Sequence, residues 1–447
     1  MTLLDTSQSG DDALKAVFAR ELERVRDRSH GLTVDVLDVD ELLAQHSRLM
    51  SPLVWDLAHV GNYEELWLLR AAAGLEAMRP ELDDIYDAFE HPRSERPTLP
   101  LLPPSQAMSY LGQVRSKVLD ALDTMPLDPA NPLLDKGFVY AMVVQHEHQH
   151  DETMLATHQL RRGATVLGDV PPPAAPAPPL PHEVLVPGGP FTMGTSDDGW
   201  AYDNERPAHE VFVPAFHLDS APVTNRAYLS FVESGGYDQP RWWSHAGWEW
   251  RTASGKRRPA FWLREGGEPL RRRFGRVEPL PLDQPVQHVC YHEADAYARW
   301  AGKRLPTEAE WEKAASWDPV TRTKRRYPWG DADPTSEHAN LGQRHHQPAE
   351  VGAYPAGVSA YGVHQLVGDV WEWTSSGFEG YPGFRSFPYK EYSEVFFGGD
   401  YRMLRGGSWA SDHTAVRTTF RNWDHPVRRQ IFAGFRCARD AAPGEGR

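Results

Sequence analysis

Between Asp169 and His182, seven of fourteen residues are proline, and no other stretch limits the architecture so strongly. Proline has no backbone N–H and a fixed φ, so such a run can neither continue a helix nor sit inside a sheet. It forms a stiff, extended connector, and what lies on either side must fold on its own. A chain of 447 residues allows this, because each side is long enough to bury a core. The expected organisation is one domain over residues 1–168, a proline-rich linker over 169–183 and a second domain over 184–447.

The first part has helix signals and no strand pattern. Asp11 or Asp12 is expected to cap a helix running to about Arg28, and Ser51-Pro52 to open a second that stops at Gly74. A third is expected from Ser105 to about Met125, and a fourth from Leu133 to Arg162, ending at Gly163. Four helices of this length suggest a four-helix bundle, a fold that places metal sites in its core. The second part is rich in Gly, Trp and short aromatic strands. Thr307-Glu-Ala-Glu310 is a capping box whose helix continues through Trp311 to Ala315, the one clear helix there. Cys290, in Val-Cys-Tyr, reads as a strand or strand end, and Arg271-Arg272-Arg273 as a solvated loop. The fold class expected is α+β in two domains.

Charge and composition narrow the function. A formal net charge of -15 argues against nucleic acid as a main partner, because phosphate neutralisation needs a basic face. Two cysteines give neither a disulfide framework nor a thiolate metal site, which fits a reducing cytoplasm. Met1 to Asp12 lacks the pattern of a signal peptide, and no apolar run approaches the ~20 residues of a membrane span. A soluble, cytoplasmic protein is expected.

The segment Gln145-His146-Glu147-His148-Gln149-His150 carries the chemistry. His146 and His150 lie four apart, so on a helix both imidazoles face the same way and can reach one ion. Phe138, Met142, His146, His150 and Met154 follow one helical stripe, which places the pair on an apolar, inward face. Two core-facing rings need either two separate hydrogen-bond partners or one metal. A catalytic metal site needs a third ligand, and His59, between Trp55 and Tyr63 on the second helix, is the best candidate. Taken singly, His59 reads first as a satisfied core histidine; paired with His146 and His150 across a bundle, it reads as a ligand. His148 and His158 read as surface or flanking residues. Three neutral imidazoles with open positions make a variant of the facial arrangement of non-heme iron(II). The same letters also satisfy the zinc-peptidase pattern His-Glu-x-x-His, but Thr153 and Ala156 stand where its metzincin extension needs glycine and histidine.

Longer motifs carry a resemblance. The first part, through His59 in Trp-Asp-Leu-Ala-His with His146 and His150, resembles the DinB-like four-helix metal-binding family. The second part resembles the formylglycine-generating-enzyme/sulfatase-modifying family, of C-type-lectin-like fold. The phrases are Val186 to Gly194, Arg304 to Trp311, Gly368 to Trp373, Leu404 to Trp409 and Gly434 to Cys437. Formylglycine-generating enzymes carry two active-site cysteines shortly after the Arg-Gly-Gly-Ser-Trp phrase. Ala410 to Trp423 contains none here, so their chemistry is not expected. The fusion in this order, with Gln145 to Thr153 and Phe420 to Arg429, resembles the sulfoxide synthases of ergothioneine biosynthesis.

That resemblance implies iron(II) held by His59, His146 and His150, with hercynine (trimethylhistidine), γ-glutamylcysteine and dioxygen as small-molecule partners of a monomeric enzyme. It implies Tyr389 as the catalytic phenol, and Gln149, Tyr392, Asn422, Trp423, Asp424, Arg428, Arg93 and Arg96 as substrate-binding residues. An aromatic face suits a quaternary ammonium, and arginine forks suit carboxylates. It also implies an active site in a cleft between the two domains. Three alternatives stay open: free cysteine as thiol donor, a DinB-like metal- and thiol-dependent transferase, and a lectin-like binding module.

Overall fold

The computed structural model describes residues 10–175 and 180–446, so residues 176–179 of the proline connector and the first nine residues lie outside the described part. Two compact units result, one reaching to Gly168 together with Phe274–Arg276, the other comprising Asp169–Arg273 and Val277 onward.

The first unit is helical: α1 (Asp11–Gly31), α2 (Val39–Leu43), α3 (Leu53–Glu64), α4 (Asp83–Tyr86), α5 (Pro104–Thr124) and α6 (Phe138–Leu160). The long helices α1, α3, α5 and α6 are the four expected, with different starts. Gly10 caps α1, leaving Asp11 and Asp12 in the first turn, where the helix dipole favours carboxylates. Pro52 and Pro103 cap α3 and α5, in place of Ser51 and Ser105. The start of α6 falls after Leu133 because Lys136 and Gly137 have positive φ, 52° and 70°. A Cβ on Gly137 would lie 2.1 Å from the Phe18 ring, so only glycine fits.

Beyond Glu64 the helix widens into π turns over Glu65–Ala72, which the sequence did not suggest, and Gly74 at φ 68° ends it. The widening lets two consecutive carboxylates point inward. Glu65 accepts from the Tyr110 hydroxyl at 2.6 Å, while Glu64 accepts from Arg26 at 2.8 Å and Arg115 at 2.6 Å. The same arginines reach Glu147 on α6, at 2.6 Å and 3.4 Å, and close a buried four-charge network. Breaking one partner of such a network costs about 3–5 kcal/mol, since a charge is left buried and unpaired.

The second unit is mixed. Its elements run β1 (Glu183–Val186), β2 (Gly189–Met193), β3 (His209–Val213), β4 (Phe216–Asp219), α7 (Asn225–Glu233) and α8 (His245–Ser254). The hairpins β5 (Trp262–Glu265), β6 (Glu268–Arg273) and β7 (Arg276–Pro279) follow, then α9 (Tyr291–Trp300) and α10 (Glu308–Ser316). Last come β8 (Trp317–Asp318), β9 (Thr323–Lys324), β10 (Trp371–Gly377), β11 (Arg402–Arg405), β12 (Asn422–Asp424), β13 (Ala433–Gly434) and β14 (Ala438–Asp440). The main sheets are ordered β1-β4-β14 and β12-β11-β10-β13, and Trp311, Trp373 and Trp409 are fully buried.

The Thr307 capping box starts α10 as expected. Helices α7, α8 and α9 were not foreseen. Cys290 is no strand residue: it caps α9, and its backbone N–H donates to Glu293 at 2.9 Å. Arg271 and Arg273 are buried strand residues, both donating to Glu278, at 2.7 Å and 2.8 Å, so the expectation of a solvated loop fails. Among the described residues, no helix is long and apolar enough to cross a membrane.

Candidate metal centre

His59 on α3 and His146 and His150 on α6 converge, with their ligand atoms all within 4.8 Å of one another; among the described residues theirs is the one cluster of this kind. The Nε2 atoms of His59 and His146 stand 3.3 Å apart. Imidazole donors held about 2.1 Å from one ion sit about 3 to 3.4 Å from each other, so this spacing fits a shared metal. The far sides of two rings are tied back. His59 Nδ1 donates to the Tyr86 carbonyl at 2.7 Å, and His150 Nδ1 is 3.0 Å from the Asp56 carboxylate. Each tether fixes the tautomer that leaves Nε2 a lone pair for a metal. Aromatic rings set the planes: Trp55 stacks on His59 at 4.7 Å and Tyr63 on His146 at 3.7 Å.

Burial, then the neighbouring His150 ring, holds the His59 and His146 imidazoles well below their ordinary pKa, so both are neutral donors at physiological pH. Yet the ligand face is not the most buried face of α6. Phe138, Met142 and Met154 are buried as the stripe suggests, while His146 and His150 are partly exposed. Glu147, His148 and Asp151, on the other side, are buried. His148 and His158 are therefore core residues and not surface ones: His148 Nδ1 lies 3.2 Å from Asp151, and His158 Nε2 donates to the Leu32 carbonyl at 2.6 Å. Glu147 also settles the peptidase pattern. Locked between Arg26 and Arg115, it points away from the imidazoles and has no general-base position.

Gln149 lies beside His150 and is half-buried. Arg93 donates to the Leu49 carbonyl at 3.0 Å. Arg96 is more committed than expected: it donates to Ser51 at 2.7 Å, Ala88 at 3.0 Å and His91 at 3.1 Å, and packs 3.6 Å over Trp55. A substrate carboxylate would have to displace these partners, so Arg96 acts in this structure on Trp55. Sequence reasoning missed Asp56, Tyr86 and Arg96 as supports of the imidazoles. Asp56 in Trp-Asp-Leu-Ala-His, three residues before His59, was the available signal.

In the second unit Tyr389 and Tyr392 flank a short turn, with ring centroids 6.2 Å apart, and Trp423 meets Tyr392 edge-on at 6.1 Å. Trp423 also stacks on Phe378 at 4.0 Å. Pairing of β12 with β11 sets Asn422, Trp423 and Asp424 in one extended run, and Arg428 Nε comes 3.4 Å from the Asp424 carboxylate. Tyr389, Tyr392, Asn422, Trp423, Asp424 and Arg428 are all partly exposed, whereas Phe378 is buried.

The comparisons with known proteins agree with this division. Residues 21–154 match the DinB superfamily, and residues 169–441 match the sulfatase-modifying factor enzyme 1-like domain. The hercynine oxygenase of Mycolicibacterium smegmatis is 52% identical over 437 residues, covering 95% of this chain and 99% of that protein. The hercynine oxygenase of Mycobacterium tuberculosis is 53% identical, covering 92% of this chain and 97% of that one. A formylglycine-generating enzyme of Streptomyces coelicolor is 35% identical, over 58% of this chain and 89% of its own length. With both domains present in order and relatives matched over nearly their whole length, the chain is an oxidoreductase and belongs to the hercynine oxygenase family.

Proposed function

We propose that this chain is a dioxygen-dependent, non-heme iron(II) sulfoxide synthase of ergothioneine biosynthesis, joining the thiol of γ-glutamylcysteine to the imidazole of hercynine. The observation that carries the reading is the three-imidazole cluster, with Nδ1 of His59 and His150 tethered so that Nε2 is presented. The net reaction balances: one thiol, one imidazole C–H and one dioxygen give the sulfoxide and one water. His59, His146 and His150 would hold iron(II), which when bound supplies the electron transfer that dioxygen needs.

The remaining roles fall to this chain's own side chains. Trp423 offers an aromatic face to the trimethylammonium, which has no hydrogen to donate, and Asn422 lies next to it. Gln149 orients the imidazole of the substrate by a hydrogen bond. Asp424 and Arg428 grip the amine and carboxylates of the glutamyl group. Tyr389 donates a proton from its phenol oxygen as the sulfur is oxidised. We infer a protein that works in the cytoplasm, a reading supported by Cys290 and Cys437 being buried free thiols.

The test is oxygen uptake by the protein with iron(II), hercynine and γ-glutamylcysteine, followed by product mass. The expected product has the summed mass of both substrates less two hydrogens plus one oxygen. Oxygen uptake without a coupled product would sink the proposal. Saturation by free cysteine alone would change the thiol donor and leave the chemistry standing.

A further inference from the structure

The turn Tyr202-Asp203-Asn204-Glu205 lies far in sequence from every residue assigned a role so far. It is buried throughout, Asp203 at 3% exposure and Glu205 at 0%. Its carboxylates do not pair with each other's surroundings at random. Asp203 accepts from the backbone N–H of Phe387 at 3.1 Å through one oxygen, and from the Ser393 hydroxyl at 2.8 Å through the other. Those two donors bracket the five residues that carry Tyr389 and Tyr392. The Tyr202 ring stacks on Tyr392 at 4.2 Å and 19°.

The other end of the turn faces the β12 side. The Asn204 carbonyl accepts from Arg421 at 2.8 Å, and Arg421 immediately precedes Asn422. Glu205 accepts from Arg417 at 2.7 Å and from Thr419 at 2.6 Å. One turn thus fixes the tyrosine segment at one edge and the Asn422–Asp424 strand at the other.

We propose that Asp203 is a positioning residue, its carboxylate stapling Phe387 to Ser393 so that the Tyr392 ring is held against Trp423 and the Tyr389 ring against Tyr392. The inference rests on the proposed role of Tyr389. Burial pushes the Asp203 carboxyl up to about 6, with the Phe387 amide and Ser393 hydroxyl opposing that rise. A carboxylate kept in so unfavourable a place is held by the donors it organises. A buried aspartate used only for stability would weaken the whole unit evenly. A staple weakens one segment.

Two readouts separate these cases. Amide hydrogen exchange of Asp203→Ala should quicken by roughly tenfold or more at residues 389–393 and stay unchanged in β10. In steady state, Asp203→Ala should lose roughly tenfold in kcat with little change in KM, and Asp203→Asn, which can still accept from Phe387 and donate to Ser393, should recover most of it. In a Tyr389→Phe background, Asp203→Ala should cost clearly less than its tenfold in the parent, because the Tyr389 phenol it positions is already gone and only its hold on Tyr392 remains to be lost. Fully additive losses, or unchanged exchange at 389–393 in the folded variant, would overturn the staple. If Asp203→Ala does not fold, Ser393→Ala severs one end alone and must show a smaller effect of the same kind. If Tyr389→Phe keeps full activity, the role of Tyr389 falls, and hydrogen exchange still decides the staple.

Discussion

His59, His146 and His150 are supported unequally, and the difference predicts which supports matter. The backbone carbonyl of Tyr86 holds His59, a partner that no side-chain substitution removes. A carboxylate holds His150: Asp56, 1% exposed, with its second oxygen lacking a hydrogen-bond partner. A carboxylate behind an imidazole raises its basicity and fixes its plane, and losing such a partner costs about 10–100-fold in metal affinity. Asp56→Asn keeps an acceptor for Nδ1–H but removes the charge. Its affinity for divalent metal is expected to fall about tenfold, near the lower end of that range. Competition against a coloured chelator measures this, and equal affinity for variant and parent would show that Asp56 only fills space.

Helix α6 works on two faces, and its sequence displays one of them. The imidazoles share a face because residues four apart do so on any helix, which is why spacing sufficed to find them. Glu147, between two histidines, goes to the opposite face and into the network with Arg26 and Arg115. Burial resists its charge, but the two guanidiniums outweigh burial and hold the carboxyl down to about 2. The folded state thus prefers the carboxylate more than the unfolded chain does. Stability from this group is complete above about pH 4.5 and is lost as pH falls from there toward 2, up to about 3 kcal/mol. Circular dichroism of Glu147→Gln against the parent should show a flatter pH dependence in that window. Parallel curves would mean that the network contributes no acid lability.

The same elements show what sequence could not convey. Gly74 and the Thr307 capping box are local signals and marked their helix ends correctly. Prolines at Pro52 and Pro103 took cap positions that polar neighbours seemed to claim, since a proline cap needs no side-chain hydrogen bond. Helices α7 to α9 are nine or ten residues long and carry aromatic residues on several sides, so their periodicity is weak. The burial of Arg271 and Arg273 depends on Glu278 reaching them from β7, a pairing that a run of three arginines cannot reveal. Of the candidate site, the pairing of His146 with His150 was legible from spacing, and family phrases nominated the tyrosines. The supports Tyr86 and Asp203 act across 20 or more residues and became visible only in the fold, whereas Asp56 had left its signal beside His59.

Taken as a whole, the molecule has two cores of different make. The first is a helical bundle tied by buried ion pairs; the second holds Trp311, Trp373 and Trp409 among short strands. All three imidazoles belong to the first unit, so metal binding free energy is linked to the folding of that unit. A ligand present at about 100 times its Kd stabilises the state that binds it by about 2.7 kcal/mol. Calorimetry with and without divalent metal should therefore raise the unfolding transition of the first unit and leave that of the second in place. His146→Ala should abolish the rise while the metal-free transitions keep their order. A rise that survives His146→Ala would place the ion elsewhere. Equal movement of both transitions would mean that the units unfold as one, and the bundle would then no longer be the sole carrier of the metal's stabilisation.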